Sequence, residues 1–596
     1  MYSLKDNFKS LADNEHGVRY LKEDTVSRFL EIPDVLGASP VVFQMLTCLG
    51  SFPFLEDGPA VLCLEQLVIV ITLMTERYKR VLARGSTDRT KLIFKSLAVY
   101  DRKLSERATD AGGDSSAPGG NNPVGASSDE GTRTGVQSHA PGFAVDEAGE
   151  DEPDDAAVDD EDDALVLAAF ESIDYVGAFR HGNAQTIHGA MIPGDNFRKL
   201  IMLLLLIAPL QAQERLSQHS DRTINEELDG LRSVADCVLA TFLDVEKSPG
   251  IKYGRFRTVI PACCPYLFDG FNALFEHFLF SKNLDLSKHK DKASSLPRPP
   301  TVQVQPLLQQ TGSILTLNVL SQLSFFLPGT DLFRRLRLLY SGNDDGFSIG
   351  AFEAKVFNWR APTLLLVRGT RVPRTPSRGR AAAFAAALPP HRFPPGSAAT
   401  GDQGLVFGAY VSAPWRLTHR ECFGDSACRL FQLAPVHDVF PASTLNRDYV
   451  AFTRPSPAAG GRAGLTLGCP PPHAAASKSL RHDGGVAALG AVSLLLDASF
   501  EFGVFTHDYT RRGGAFANSA SRRFDFQDRF EVESLEVWGC GGDEEARIQA
   551  ERWAWEAREA EARRKINLGT GDIAADRALL EMAGLIGQNR SGGSMG

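Results

Sequence analysis

The stretch between residues 106 and 163 constrains everything else this 596-residue chain can fold into. It runs through Gly112-Gly113, Gly119-Gly120 and Asn121-Asn122-Pro123 into a block, residues 146–163, with twelve Asp or Glu and no Lys or Arg. Phe143 is its one aromatic residue. So little apolar area cannot offset the entropy of ordering the backbone, so an acidic disordered linker is expected, dividing the chain in two. The block also distorts the charge balance. The formal net charge is −10, yet outside the block 63 basic residues face 61 acidic ones. A chain-wide basic surface for nucleic acid is not indicated, and no specific nucleic-acid partner is expected.

The flanking sequence can build ordinary cores, being 43% hydrophobic and 23% charged. At about 150 residues per domain it calls for several modules. Apolar positions at Val18, Leu21, Val26, Phe29 and Leu30, then Val41, Val42, Met45, Leu46 and Leu49, predict a helical module over 1–105. Ser39-Pro40 reads as an N-cap followed by proline at the first helical position. Helix, short apolar loop, helix suggests EF-hand-like packing, but no Asp-x-Asp-x-Asp-Gly loop is present to hold calcium. A second helical module is expected over 164–285, with Phe271, Leu274, Phe275, Phe278 and Leu279 forming one apolar stripe. The Lys/Ser/Pro-rich run 286–312 reads as another linker. The longest purely apolar run, Leu200 to Leu210, has eleven residues, about half of the roughly 20 a membrane span needs. No transmembrane segment is expected. Lys5, Asp6, Asn7 and Lys9 rule out a secretory leader in the opening residues. Nine cysteines, odd in number and set in apolar contexts, suit free thiols in a reducing, cytoplasmic compartment.

From 313 the texture changes. After a helical stretch, Ile314 to Phe326, short β-prone runs are punctuated by Gly, Pro and Asp. They are Pro362–Val367, Gly404–Val411, Arg429–Leu433, Asp448–Thr453, Ala491–Phe505 and Phe530–Trp538. Such a pattern predicts an antiparallel β-sandwich over 313–540, interrupted by floppy insertions at 371–402 and 455–486. A tail, 541–596, should open with a charged helix, Asp543 to Lys565, and end in a second helix after Gly569 and Gly571. The fold class is thus α+β, a helical half followed by a sandwich flanked by helices.

The sandwich segment resembles the TLDc domain family. The resemblance lies in Leu338-Leu339-Tyr340-Ser341, Asp345-Gly346-Phe347-Ser348, Pro362 to Val367, Phe407-Gly408-Ala409-Tyr410-Val411 and Pro414-Trp415. It continues through Phe423-Gly424-Asp425, Asp448-Tyr449-Val450, Gly503, Phe516-Ala517-Asn518 and Glu533-Ser534-Leu535-Glu536-Val537-Trp538. The helical half and the tail residues Asn567 to Asp572 narrow the match to the fungal "restriction of telomere capping" branch. The resemblance implies a non-catalytic cytoplasmic interaction protein, peripheral at the vacuolar membrane, that engages the vacuolar proton-pumping ATPase and influences its assembly or disassembly. It further implies oxidative-stress resistance and an influence on telomere capping. Members usually start Met-Gly, suited to myristoylation; Tyr2 stands at that position here, so no lipid anchor is expected in this chain.

The family residues suit structural roles. Gly346 and Gly408 fit positive φ or close backbone approach, and Gly424 and Gly503 are counted with them as family-motif residues of mainly structural role. Trp415 and Trp538 are large apolar bodies with one N–H to satisfy. Asp425 and Asn518 suit Asx-type turns, while Asp345 and Glu536 are family-motif residues of mainly structural role. In the tail, Trp553 and Trp555 are candidate partner contacts on an otherwise charged helix. The rival reading is a hydrolase-like enzyme using a pair among His437-Asp438, His482-Asp483 and His507-Asp508, but no Gly-x-Ser-x-Gly elbow supplies a nucleophile. His419, Cys422, Cys428 and His437 lack the paired Cys-x2-Cys spacing of a zinc site, and Cys263-Cys264 reads as two packed thiols. No cofactor is expected. The cluster Arg368, Arg371, Arg374, Arg378 and Arg380 has no interleaved aromatics to make it a nucleic-acid site.

Overall fold

Apolar residues at helical spacing become buried faces. Helix Ser39–Gly50 buries Val41, Val42, Met45, Leu46 and Leu49. Helix Gly194–Ile207 buries every residue from Leu200 to Ile207, so its C-terminal half is enclosed on all sides. The computed structural model describes residues 2–52, 62–80, 89–100, 190–279, 306–373, 379–471 and 487–564, with 577, 578 and 582. Within those ranges 16, 212–213, 244–249, 391–392, 397–403, 419, 455–463 are not among the described residues. The expected acidic linker, His482-Asp483, His419, Arg374, Arg378 and Gly569 to Gly571 also lie outside the described residues.

Helices before 101 and after 189 form one body, although the linker between them suggests two modules. Neither set covers its apolar face alone. Phe94 meets Phe256 at 5.4 Å and Phe29 meets Phe278 at 4.4 Å. Asn7, fully buried, donates its side-chain N–H to the Phe278 carbonyl at 2.7 Å. Short strands stitch the loops. Strands β1 (Asp13–Glu15) and β2 (Val18–Tyr20) make a hairpin, while β3 (Val99–Tyr100), β4 (Ala190–Pro193) and β5 (Gly250–Lys252) make an antiparallel sheet in the order β3-β4-β5. Ser39 does not cap its helix; it is the first helical residue, and its hydroxyl pairs with that of Ser27 at 2.6 Å.

The C-terminal sheet has ten strands, β6 (Arg337–Ser341), β7 (Thr363–Arg371), β8 (Leu405–Val411), β9 (Arg429–Ala434), β10 (Asp438–Pro441), β11 (Val450–Thr453), β12 (Gly464–Leu467), β13 (Val492–Asp497), β14 (Phe502–His507) and β15 (Phe526–Gly539). All pairings are antiparallel, in the order β10-β9-β8-β7-β15-β14-β13-β12-β11. Strand β15 is the spine. Its first half pairs β14, its last residues pair β6, and its other edge runs along β7. Register shifts at Val532/Ser534 and Val537/Trp538 bend it, and the sheet folds over its own core. The run Leu364-Leu365-Leu366-Val367 shows why it lacks polar alternation. Leu365 and Val367 enter the sandwich core with Phe407 and Phe530, whereas Leu364 and Leu366 join the helical half's core with Phe431, Val439 and Trp538. Both faces are covered.

Several expectations need correction. The apolar stretch Ala491–Phe505 is two strands, β13 and β14, turned where Asp497 accepts the backbone N–H groups of Glu501 and Phe502, each at 2.9 Å. The insertion 371–402 is not wholly loose. It carries helix Arg380–Ala386, stacks Phe384 on Phe502 at 5.4 Å, and offers the Pro394 carbonyl to the Gln527 N–H at 2.9 Å. The insertion 455–486 contains β12, a full member of the sheet. Residues 306–312, assigned above to a linker, bury Leu307 and Leu308 against the domain. The tail helix spans Asp543–Arg564.

Candidate functional site

The motif residues are scattered through the sandwich and do not converge on one pocket. Asp345 accepts the Ser341 N–H at 3.1 Å and pairs with Lys355 at 2.9 Å. Next to it Gly346, at φ +87°, lies in the left-handed region and offers its carbonyl to the Tyr340 hydroxyl at 2.8 Å. Gly408 in β8 leaves no room for a Cβ, which would sit 2.6 Å from the Leu365 carbonyl oxygen. Trp415, 2% exposed, donates its indole N–H to Thr363 at 2.7 Å. Beyond Gly424, Asp425 closes a turn by accepting the Ala427 N–H at 2.7 Å. Gly503 pairs with Phe530 across β14 and β15, and Asn518 donates to the Tyr509 carbonyl at 2.9 Å. Glu536 is buried, and its carboxylate accepts from the Ser313 hydroxyl, the Ile314 and Leu315 N–H groups and the Trp538 indole. It ties the chain entering the domain to the spine strand.

Among the described residues an extended buried polar assembly lies where the sheet meets the helical half. Asp438, fully buried in β10, accepts from Arg522 Nε at 2.9 Å and the Ser519 hydroxyl at 2.5 Å. Arg522 also donates to Gln432 at 2.8 Å and lies 4.1 Å over the Phe526 ring. His437 bonds through Nε2 to the Cys263 carbonyl at 3.0 Å, and Gln322 lies 3.3 Å from its Nδ1. Thr241 and Cys237 of helix Asn225–Phe242 bind the His437 backbone. His507 Nε2 accepts the Ser519 N–H at 3.0 Å, while its Nδ1 faces the Phe524 carbonyl at 3.0 Å. Burial pushes both imidazoles below the ordinary histidine pKa. Each described His–Asp pair therefore holds a histidine with both ring nitrogens engaged by the protein. Neither aims at a reactive hydroxyl across open space. Cys263 and Cys264 are buried, and burial raises both thiol pKa values. This hub draws on residues from Cys237 to Phe526. The His437-Asp438 and His507-Asp508 dipeptides mark some of its members, but no local pattern shows that Arg522, Gln432 and Cys263 join them.

Other candidates disperse. Cys422 lies 4.0 Å from the Cys469 carbonyl, Cys428 lies 3.4 Å from the Ser412 hydroxyl, and His437 belongs to the hub. Arg371 is spent on Asp528 at 2.8 Å, and Arg380 pairs with Glu501. The tail helix is anchored at its start, where Gln549 donates to the Lys355 carbonyl and Arg552 to the Asn358 carbonyl. Trp553 is half-buried with the Lys355 ammonium 5.9 Å from its ring, but Trp555 is 57% exposed.

A folded-over antiparallel sheet with its motif residues spent on structure defines the TLDc domain, whose family profile matches residues 308–541. The whole chain is also 60% identical to proteins called "Restriction of telomere capping protein 5" from Colletotrichum graminicola and Pyricularia oryzae, covering 100% of this chain and 94% of each relative. A relative of that name from Aspergillus flavus is 35% identical over 99% of this chain and 94% of its own length. The chain belongs to this fungal family of TLDc-domain proteins.

Proposed function

We propose that the chain is a non-catalytic interaction protein that engages the vacuolar proton-pumping ATPase and influences its assembly or disassembly. It works in the cytoplasm with a peripheral station at the vacuolar membrane. The restriction of telomere capping that its relatives' names carry follows indirectly from that engagement, and so does a role in oxidative-stress resistance. The supporting observation is the tail helix, fixed to the sandwich at Gln549 and Arg552 and carrying Trp555 outward at 57% exposure. An indole held in water on a rigid helix suits a partner's apolar groove. Among the described residues no helix is long and apolar enough to cross a membrane.

The hydrolase reading has less support, because the engaged nitrogens of His437 and His507 leave neither as a free general base. Binding of the full chain to purified soluble pump sector decides the matter. Trp555→Ala should weaken that binding about tenfold or more, as anchor tryptophans do, without changing the melting temperature. Unchanged binding in that variant removes the tail from the interface. Hydrolytic turnover that disappears in His507→Ala would replace the reading with an enzyme.

A further inference from the structure

Three loops at one rim of the sandwich are laced together and carry an unusual pair of side-chain types. The turn after β14 is tied on one side to the loop before β15, where the Tyr509 N–H donates to Asp525 at 2.7 Å. On its other side Asn446 donates to the Gly513 carbonyl at 3.2 Å. Along this strip lie Arg523, Arg511, Arg512 and Arg447, all exposed. Beside them project two apolar tips, Phe524 at 48% and Leu445 at 86% exposure. Among the described residues none of the four guanidinium groups joins an ion pair; the Arg511 guanidinium donates to the Leu489 carbonyl at 3.1 Å.

The same segments hold three carboxylates, each partly buried. Asp508 accepts from the Thr510 hydroxyl and the Arg511 N–H, Asp525 accepts from the Tyr509 N–H, and Asp448 lies against the Cys422 thiol. Negative charge is turned into the loops and positive charge outward. The Leu445 tip is also braced, its N–H bound to Ser443 at 3.2 Å and the Asp448 N–H to Asn446 at 2.8 Å.

We infer that this rim docks on an anionic lipid surface, with Leu445 and Phe524 entering the headgroup boundary and the four arginines meeting lipid phosphates. A leucine 86% exposed on a braced tip stands on a convexity. A protein partner would need a pocket built for it, whereas a bilayer accepts an apolar tip anywhere on its surface. Guanidinium groups beside such tips add attraction to anionic headgroups, which salt screens. The contact is independent of the pump, and lipid alone tests it.

The full chain is sedimented with vesicles of phosphatidylcholine alone or with about 30% phosphatidylserine, an anionic fraction sufficient to attract basic segments. The expected result is binding to the anionic vesicles only, weakened by added salt. The variant R447A/R512A/R523A should bind about tenfold more weakly, in line with the loss of several charge contacts. Leu445→Ser combined with Phe524→Ser should also weaken binding, with an unchanged melting temperature confirming that both variants fold. Absence of vesicle binding, equal binding to neutral vesicles, or folded variants that bind like the parent would overturn the proposal. So would retention on polyglutamate without vesicle binding, which would mark the rim as a site for acidic protein.

Discussion

A carboxylate removed from water survives only where donors replace its hydration, and Asp438 has Arg522, Ser519 and the Val439 N–H doing so. Removing it strands a guanidinium that is itself buried. Asp438→Ala should therefore cost about 3–5 kcal/mol in urea unfolding, the scale for breaking a buried pair on one side. Replacing Arg522 together with it by apolar residues should cost less than the sum of the single changes. The neighbouring histidines make the same region sensitive to acid. Burial lowers the folded-state pKa of His437 and His507, so the unfolded chain binds protons first as pH falls. Their contribution is complete above the ordinary histidine pKa of about 6.5 and is lost as pH drops below it. The melting temperature should fall between about pH 7.5 and 5.5, and His437→Gln should flatten that slope. Gly408→Ala tests packing instead. The added methyl would press on the Leu365 carbonyl and the Phe431 ring and should cost about 1–3 kcal/mol or more.

Strand β15 joins both pairing networks of the sheet, and Glu536 fastens the entering chain to it through four donors. Glu536→Ala leaves those donors without an acceptor, each worth about 1–3 kcal/mol when buried, so the domain should melt well below the parent. At this scale the sequence is most readable. Strand β8 and the first half of β7 are continuous apolar runs because both their faces are covered, and their positions follow from the pattern alone. Strand β15 instead mixes polar and apolar residues and is marked by its closing Leu535-Glu536-Val537-Trp538 stretch. Strand β12, Gly464-Leu465-Thr466-Leu467, is too short and too deep in an Ala/Gly/Pro stretch for its alternation to register. Helix Arg380–Ala386 hides for a related reason. Its alanine-rich turns bury nothing of their own apart from the contact of Phe384, so no amphipathic stripe marks it.

In the whole molecule the outer face of the sheet and the helical half share a single core, with Leu366, Phe431, Leu433 and Trp538 on one side and Val238, Leu239 and Cys263 on the other. The full chain should therefore unfold in one transition. A fragment limited to 306–564 would expose those sheet residues and should aggregate or melt lower in a thermal scan. By contrast, Tyr100 and Ala190 pair directly in β3 and β4, so the two ends of the intervening sequence lie side by side. Shortening the segment between them by deleting 112–163 should move the melting temperature by no more than about a degree, since a sequence so poor in apolar residues has little to bury. The union of the two halves was not legible in the sequence. Periodicity tells which face of an element is apolar, but it does not tell which other element covers it. The tryptophans divide along the same lines. Trp359, Trp415 and Trp538 are sealed in the body, while Trp553 and Trp555 ride the tail helix at the surface. The protein's own ultraviolet emission thus contains two populations, a blue one from the interior and a red, iodide-quenchable one from the tail, so an unlabelled sample can report when the tail is covered.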